Sequence, residues 1–348
     1  MQLLGLDKDF QPVGYLQYFN LQWTREYYEI GQFSVKVDPA SYSPDMAYVY
    51  TPERSEAGIV QKVEMQETVK GRSIQISGYF LEALLNDKVV WPTYYATGDI
   101  PAAVTGMLQQ YKDDIPLLEV VDWPTAAADE GTAWQETGGK LADVAYTRLQ
   151  TVQMSLRCRY DYLANKITAE VWRGLNRTQS QNINPFVTFS DGFRNLAEVK
   201  ASLDSSNYRN YAIIAGQDQE ENRKVAYADL SGGGYKRILY VDARSDRWDP
   251  EEQTEAEYLE GLRQKGLDKL LDYQIIQNIE IEASNTGFAY LTDWDLGDLV
   301  DVVIPELGLA MEARIITVRE VRKKNNLTIS IELGDKKLTQ LQKARLIY

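Results

Sequence analysis

Apolar and polar residues alternate twice between Phe19 and Val37. Phe19, Leu21 and Trp23 stand against Asn20, Gln22 and Thr24. After Gly31, Phe33, Val35 and Val37 stand against Gln32, Ser34 and Lys36. Successive side chains on a strand project to opposite faces, so this pattern predicts a β-hairpin with one buried and one wet face.

The alternation recurs further on. Met46 to Thr51 and Gly58 to Glu67 read as strands, the second with Ile59, Val63 and Met65 on one side. Val69 to Arg72 makes a turn into a strand carrying Ile74 and Ile76. Phe80, Leu81, Leu84 and Leu85 then take helical spacing, and Gly78 lets that helix approach the sheet closely. Residues 1–95 are expected to form a β-rich domain.

A helix should follow Asp99 as its N-cap, with Pro101 in the first turn and Val104, Met107, Leu108 and Tyr111 on one face. The stretch from Asp113 to Gly139 is irregular. A second helix carries Leu141, Val144, Ala145 and Leu149, and two strands follow, Met154 to Tyr160 and Ile167 to Trp172. Helix, helix and hairpin together suggest a small α/β unit.

Gly232-Gly233-Gly234 precedes a strand, not a helix, and so predicts a hairpin tip and not a phosphate cradle. The acidic run Asp218 to Glu221 reads as a solvated turn. The longest helix should start at Thr254 and bury Tyr258, Leu259, Leu262, Leu267, Leu270 and Leu271. Residues 274–333 return to strands, with a hairpin around Lys323 to Asn326. Asp298, in Leu296-Gly297-Asp298, is expected to bond nearby backbone N–H groups. The tail, Leu338 to Tyr348, reads as a short helix or a docking arm.

Composition narrows the chemistry. A chain of 348 residues, 44% hydrophobic and 25% charged, has the balance of an ordinary soluble protein with several domains. No apolar run approaches the ~20 residues of a membrane helix, and no secretory leader is visible, so synthesis in a cytoplasm is expected. A net charge of −14 opposes a surface for gripping nucleic acid. Histidine is absent, which removes Ser-His-Asp triads, Cys-His pairs and His-rich zinc sites. Cys158, the single cysteine, lies on an alternating strand and reads as a small buried hydrophobe. The acidic residues could in principle act as a carboxylate pair, but no spacing singles one out. No catalytic, cofactor-binding or metal-binding residue is assigned, and no cofactor is expected.

The run Trp23-x-x-x-Tyr27-Tyr28-Glu29-x-Gly31-x-Phe33-x-Val35 resembles the opening of the tail-hub proteins of siphophages and prophages. Further matching pieces come in the same order. They are Ser77-Gly78 before a leucine-rich turn, Arg177-Thr178, Phe189-Ser190, Asn195-Leu196, and Asn210-Tyr211-Ala212 leading to Ile213-Ile214-Ala215-Gly216. Tyr240 to Arg244, Leu296 to Val300 and Leu333-Gly334-Asp335 complete the series.

The resemblance implies an α+β, mainly β fold: two β-barrel-like domains with a small α/β domain between them, the phage baseplate-hub fold. The barrels would take 1–95 and 181–245 plus 273–348, and the mixed domain 96–180 plus 246–272. Two related modules in each of three subunits would let a trimer abut a sixfold ring. The implied protein is a structural virion component, not an enzyme. As a homotrimer it would close the distal end of the tail tube and join the distal tail ring to the tail tip. Its partners would be that ring, the end of the tape-measure protein, and a spike or receptor-binding protein. DNA would pass through the channel without specific binding, and no membrane insertion is expected. The C-terminal hydrolase or receptor-binding extension of many relatives is not expected here.

Other functions stay open on residues alone. One is the hub of a contractile particle or bacteriocin, which a neighbouring sheath gene would mark. A tail-associated cell-wall hydrolase using acidic residues is another, testable by zymography. A third is a saccharide-binding module, suggested by 23 tyrosines and 7 tryptophans.

Overall fold

Trp23 and Phe33 face each other across the hairpin that the alternation predicts, their ring centroids 5.9 Å apart. The computed structural model describes residues 1–69, 71–96, 99–124, 134–217, 223–246, 248, 250, 254–271, 273, 276–283, 287–323 and 326–334.

The chain begins with β1 (Leu3–Leu6), β2 (Pro12–Leu16), β3 (Tyr18–Glu26), β4 (Gln32–Val37), β5 (Tyr48–Tyr50) and β6 (Gly58–Ile59). The hairpin β7 (Lys62–Thr68) and β8 (Gly71–Tyr79), a 3-10 turn at Leu81–Asp87 and β9 (Tyr94–Ala96) follow. Next come α1 (Ile100–Tyr111), β10 (Leu118–Val120), β11 (Trp134–Glu136), α2 (Leu141–Gln150), β12 (Ser155–Asp161) and β13 (Lys166–Trp172). Then β14 (Thr188–Ser190), β15 (Leu196–Asp204), β16 (Tyr211–Ala215), β17 (Val225–Asp229) and β18 (Ile238–Asp242) lead to α3 (Glu255–Leu271). The last strands are β19 (Ile276–Ala283), β20 (Leu299–Ile304), β21 (Leu309–Lys323) and β22 (Asn326–Leu333). The fold is mainly β with a minority of helix, as the sequence implies.

Two compact units result. The larger holds Met1–Lys200 and the strands from Ile279 onward; the smaller is built from Ala201–Asn278.

In the larger unit the dominant sheet runs β15-β19-β22-β21-β3-β4-β8-β7, with β14 and β20 branching from β21. A second sheet, β2-β1-β5-β6, supplies Leu3, Leu16 and Val49 to a core shared with Leu21, Trp23, Phe33, Val35 and Ile76. Gly78 sits where these layers meet. A Cβ there would collide with the carbonyl of Ile59, so only glycine fits. Phe19 departs from the expected pattern. The register shifts between Tyr18 and Asn20, and Phe19 is left half exposed outside the core.

A separate core joins α1, α2, β12 and β13 through Val104, Met107, Leu108, Leu141, Ala145, Leu149, Leu156 and Ile167. Leu6, Phe10, Leu81 and Leu85 belong to the same cluster, so packing continues across residue 95, the expected edge of the first domain. Asp99 stands at the N-cap of α1, but its side chain makes no capping bond.

Closed β-barrels, the form expected of the two β-rich regions, are not found among the described residues. The reason lies in β21. This strand, 15 residues long, pairs with β20 along its first half and is flanked by β3 and β22 along its second. N-terminal and C-terminal strands therefore share one branching sheet and do not each curl shut.

In the smaller unit β16 is central, antiparallel to β17 and parallel to β18. The glycine triplet Gly232–Gly234 is thus not a hairpin tip. It lies in a connection that crosses from one side of β16 to the other. The helix α3 also departs from the expected domain plan. The resemblance places it in the mixed domain, whereas Tyr258, Leu262, Leu267 and Leu270 pack on Ala212, Ile214, Ala226, Ala228 and Val241 of this small sheet. Gly266 makes that contact possible, because a Cβ there would press into Ile214. The helix start is a capping box: Thr254 Oγ1 accepts from Glu257 N–H (3.3 Å), and Glu257 Oε2 accepts from Thr254 N–H (2.8 Å).

Candidate functional site

The most concentrated polar chemistry in the larger unit is a buried ion cluster between β3, β21 and two loops. Arg25 points inward from β3. It donates from Nε to Glu56 Oε1 at 2.6 Å and from Nη1 to the Tyr290 hydroxyl at 3.1 Å, and it also pairs with Asp295. Arg54 grips Glu320 of β21, and Tyr290 (3.2 Å) and Arg322 (3.1 Å) add further bonds to the same carboxylate. Burial raises the Tyr290 hydroxyl well above its ordinary range.

A smaller knot forms around Asp298. Its Oδ1 accepts from Leu175 N–H (2.8 Å), and its Oδ2 accepts from Arg177 Nε (2.8 Å) and Asp295 N–H (3.0 Å). The expectation of a turn carboxylate bonding backbone N–H groups is met, with a long-range partner added. These groups bond chiefly to one another, with Glu56 Oε2 and Arg322 Nε buried without a hydrogen-bond partner, and the arrangement holds the frame.

Cys158 is 1% exposed on β12, and burial pushes its thiol well above the ordinary value. It is a packing residue. Beside it Glu82 is also buried; its Oε1 accepts from Cys158 N–H at 2.7 Å. Burial outweighs that bond and raises the Glu82 carboxyl to about 7. Lys323 and Asn326 pair across the β21–β22 turn, as the hairpin reading requires. The acidic run 218–221 and the tail 338–348 lie outside the described residues. Among the described residues no group of three or more His, Cys, Asp or Glu side chains could hold a metal ion.

Sequence reasoning missed the ion cluster. Arg25, Arg54, Glu56 and Glu320 look like ordinary surface charges in the sequence, and only the fold brings them together.

Exposed apolar side chains mark two surfaces. At one end of the large sheet β7 carries Val63 (40% exposed) and Met65 (67% exposed), and among the described residues its only ladder partner is β8. In the smaller unit the face of β16–β18 away from α3 shows Tyr227, Ile238 and Tyr240 around the half-buried Ile213. Side chains of this size left open on strands are a feature of interaction surfaces.

Residues 2–335 match the family described as Siphovirus ReqiPepy6 Gp37-like protein. The chain belongs to that family. Known structures with a similar overall fold include tail proteins. A tail protein from Neisseria meningitidis MC58 is 13% identical, with a TM-score of 0.59 and 98% of each chain covered. The 43 kDa tail protein of prophage MuSo2 from Shewanella oneidensis is 12% identical at a TM-score of 0.58, covering 99% of this chain and 98% of the other. Prophage tail protein gp18 from Listeria monocytogenes EGD-e is 12% identical at 0.55, covering 100% and 98%. No curated protein sequence matches the chain. The Gp37-like family and these structures carry the names of phage proteins and not of enzymes. Among the described residues no helix is long and apolar enough to cross a membrane.

Proposed function

We propose that this Gp37-like protein is the hub subunit of a phage or prophage tail tip. Three copies would form a ring that closes the distal end of the tail tube and joins the distal tail ring to the tip. The end of the tape-measure protein, and a spike or receptor-binding protein, would bind within or below it. The observation that carries this reading is the extent of the fold likeness to tail proteins, which spans essentially the whole of each chain.

The open strand edge supports the assembly part of the proposal. Among the described residues β7 pairs with no strand on its other side, so its edge beside Val63 and Met65 is a ready template for a neighbouring polypeptide. Heterologous contacts whose rotation closes generate rings. The net charge of −14 would let DNA pass the ring without adhering.

Mass photometry and negative-stain imaging of the purified chain test the proposal. Threefold rings are expected; dimers alone at high concentration would overturn it. Zymography on cell walls separates it from the hydrolase reading, and no clearing is expected.

A further inference from the structure

A cleft of about 890 Å3 opens where the sheet β2-β1-β5-β6 meets the turn between β12 and β13. Strand register sets its floor. Tyr15 on β2 lies opposite Leu4 on β1, and Leu4 lies opposite Tyr50 on β5. Tyr162, from the β12–β13 turn, extends the row by stacking on Tyr50, with centroids 5.4 Å apart and planes 12° from parallel. Tyr15 is 62% exposed and Tyr162 36%, so flat ring surface faces solvent. The hydroxyls of Tyr15, Tyr50 and Tyr162 bond no other described residue.

The walls are polar, and their charges are unequally committed. Arg54 is spent on Glu320 and Arg159 on Glu170 (3.0 Å). Glu53 uses Oε1 to accept from Gln2 N–H at 2.7 Å, and Asp161 uses Oδ1 to accept from Leu163 and Ala164 N–H at 2.9 and 3.0 Å. Each of these carboxylates keeps its second oxygen for a hydroxyl donor.

We propose that this cleft binds a neutral saccharide, with pyranose faces on the Tyr15 and Tyr162 rings and sugar hydroxyls on Glu53 and Asp161. The C–H face of a pyranose is apolar and flat, while its rim carries donors and acceptors, which matches a tyrosine floor with carboxylate walls. An added peptide strand is disfavoured. It would pair along a sheet edge such as β2, whereas the cleft lies over the sheet face that carries Tyr15 and Tyr50, and β1 and β5 are interior strands. Anionic sugars are disfavoured because the cleft's free oxygens are carboxylate, while Arg54 and Arg159 are already engaged by Glu320 and Glu170, which they share with Arg322 and Arg157. The volume is that of an ordinary ligand site.

Saturation-transfer NMR on the full chain tests this, with chitotriose, maltotriose and cellotriose as neutral probes and trigalacturonate as the charged one. Transfer to at least one neutral sugar and none to trigalacturonate is expected. Tyr15→Ala and Tyr162→Ala should each weaken that binding about tenfold, the scale of one lost ring contact. Tyr162→Phe keeps the stacking ring and should retain binding. Absence of transfer to every neutral sugar, transfer to trigalacturonate as strong as to the neutral sugars, or binding unchanged in both alanine variants would overturn the proposal. If Tyr162→Ala fails to fold, the exposed Tyr15→Ala decides.

Discussion

Arg54 holds Glu320 in a two-pronged grip across 266 positions of sequence: Nη2 lies 2.7 Å from Oε1 and 2.8 Å from Oε2. Glu320 is fully buried. A buried carboxylate stripped of its main cation keeps its desolvation cost and loses most of the compensation. Arg54→Met should therefore lower stability by about 3 kcal/mol, the low end of the range for breaking such a pair, because Tyr290 and Arg322 stay bonded to Glu320. Urea unfolding monitored by tryptophan fluorescence would measure it.

Glu82 makes stability depend on pH in an unusual direction for an acidic residue. Its folded value of about 7 lies above its ordinary 4.5. Between those values the unfolded chain gives up the proton while the folded chain keeps it. Stability from this group is thus full below pH 4.5, falls as pH rises through the window, and is flat above about 7. The total change is roughly 3 kcal/mol. Glu82→Gln keeps the acceptor for Cys158 N–H and should flatten the profile, so that the variant is the more stable protein at pH 8. Unfolding midpoints at pH 5 and pH 8 check both statements.

Asp298 organises a turn through three accepted hydrogen bonds. Asn at this position would set an NH2 group against donors. Asp298→Asn should cost about 2 kcal/mol, the penalty of leaving a buried polar group unmatched. Thermal unfolding would show it as a lower midpoint with unchanged secondary structure.

The thiol of Cys158 should be silent in the native protein. Burial and a raised thiol value both suppress thiolate attack. A colorimetric disulfide reagent should react only after denaturant is added; fast labelling of native protein would contradict the packing.

Met65→Lys tests the open edge. The side chain is 67% exposed, so the subunit should keep its stability to within about 0.5 kcal/mol. A lysine on an edge strand discourages pairing with another chain. Ring assembly should be lost while the monomer stays folded, as read by mass photometry beside circular dichroism.

Local structure was largely legible in the sequence. The β3–β4 hairpin, α1, α2, α3 and the β12–β13 and β21–β22 hairpins follow from apolar spacing, because each buries one face against the nearest layer. Pattern failed where a position depends on a distant strand. Phe19 obeys the alternation and still faces solvent, since one shifted register beside Tyr18 moves it out of the core. Arg25 and Glu320 sit where alternation allows either face, and their burial is decided by non-local partners, from Glu56 at 31 positions to Arg54 at 266. Gly232–Gly234 reads as a tip because sequence cannot show that β16 lies between the strands it connects. Barrel closure failed for the same reason: nothing local announces that β21 pairs with β3. The tyrosine cleft was visible only as composition, a surplus of tyrosine with no address.

The path of β15 and β19 carries an evolutionary consequence. The chain departs from the larger unit along one of these strands and comes home along its immediate neighbour in the sheet. The segment they bracket can therefore be lengthened, exchanged or trimmed to a tight loop without asking any host strand to change places. Such a junction is a natural cassette port, where lineages can diversify one accessory piece while the parent scaffold stays the same.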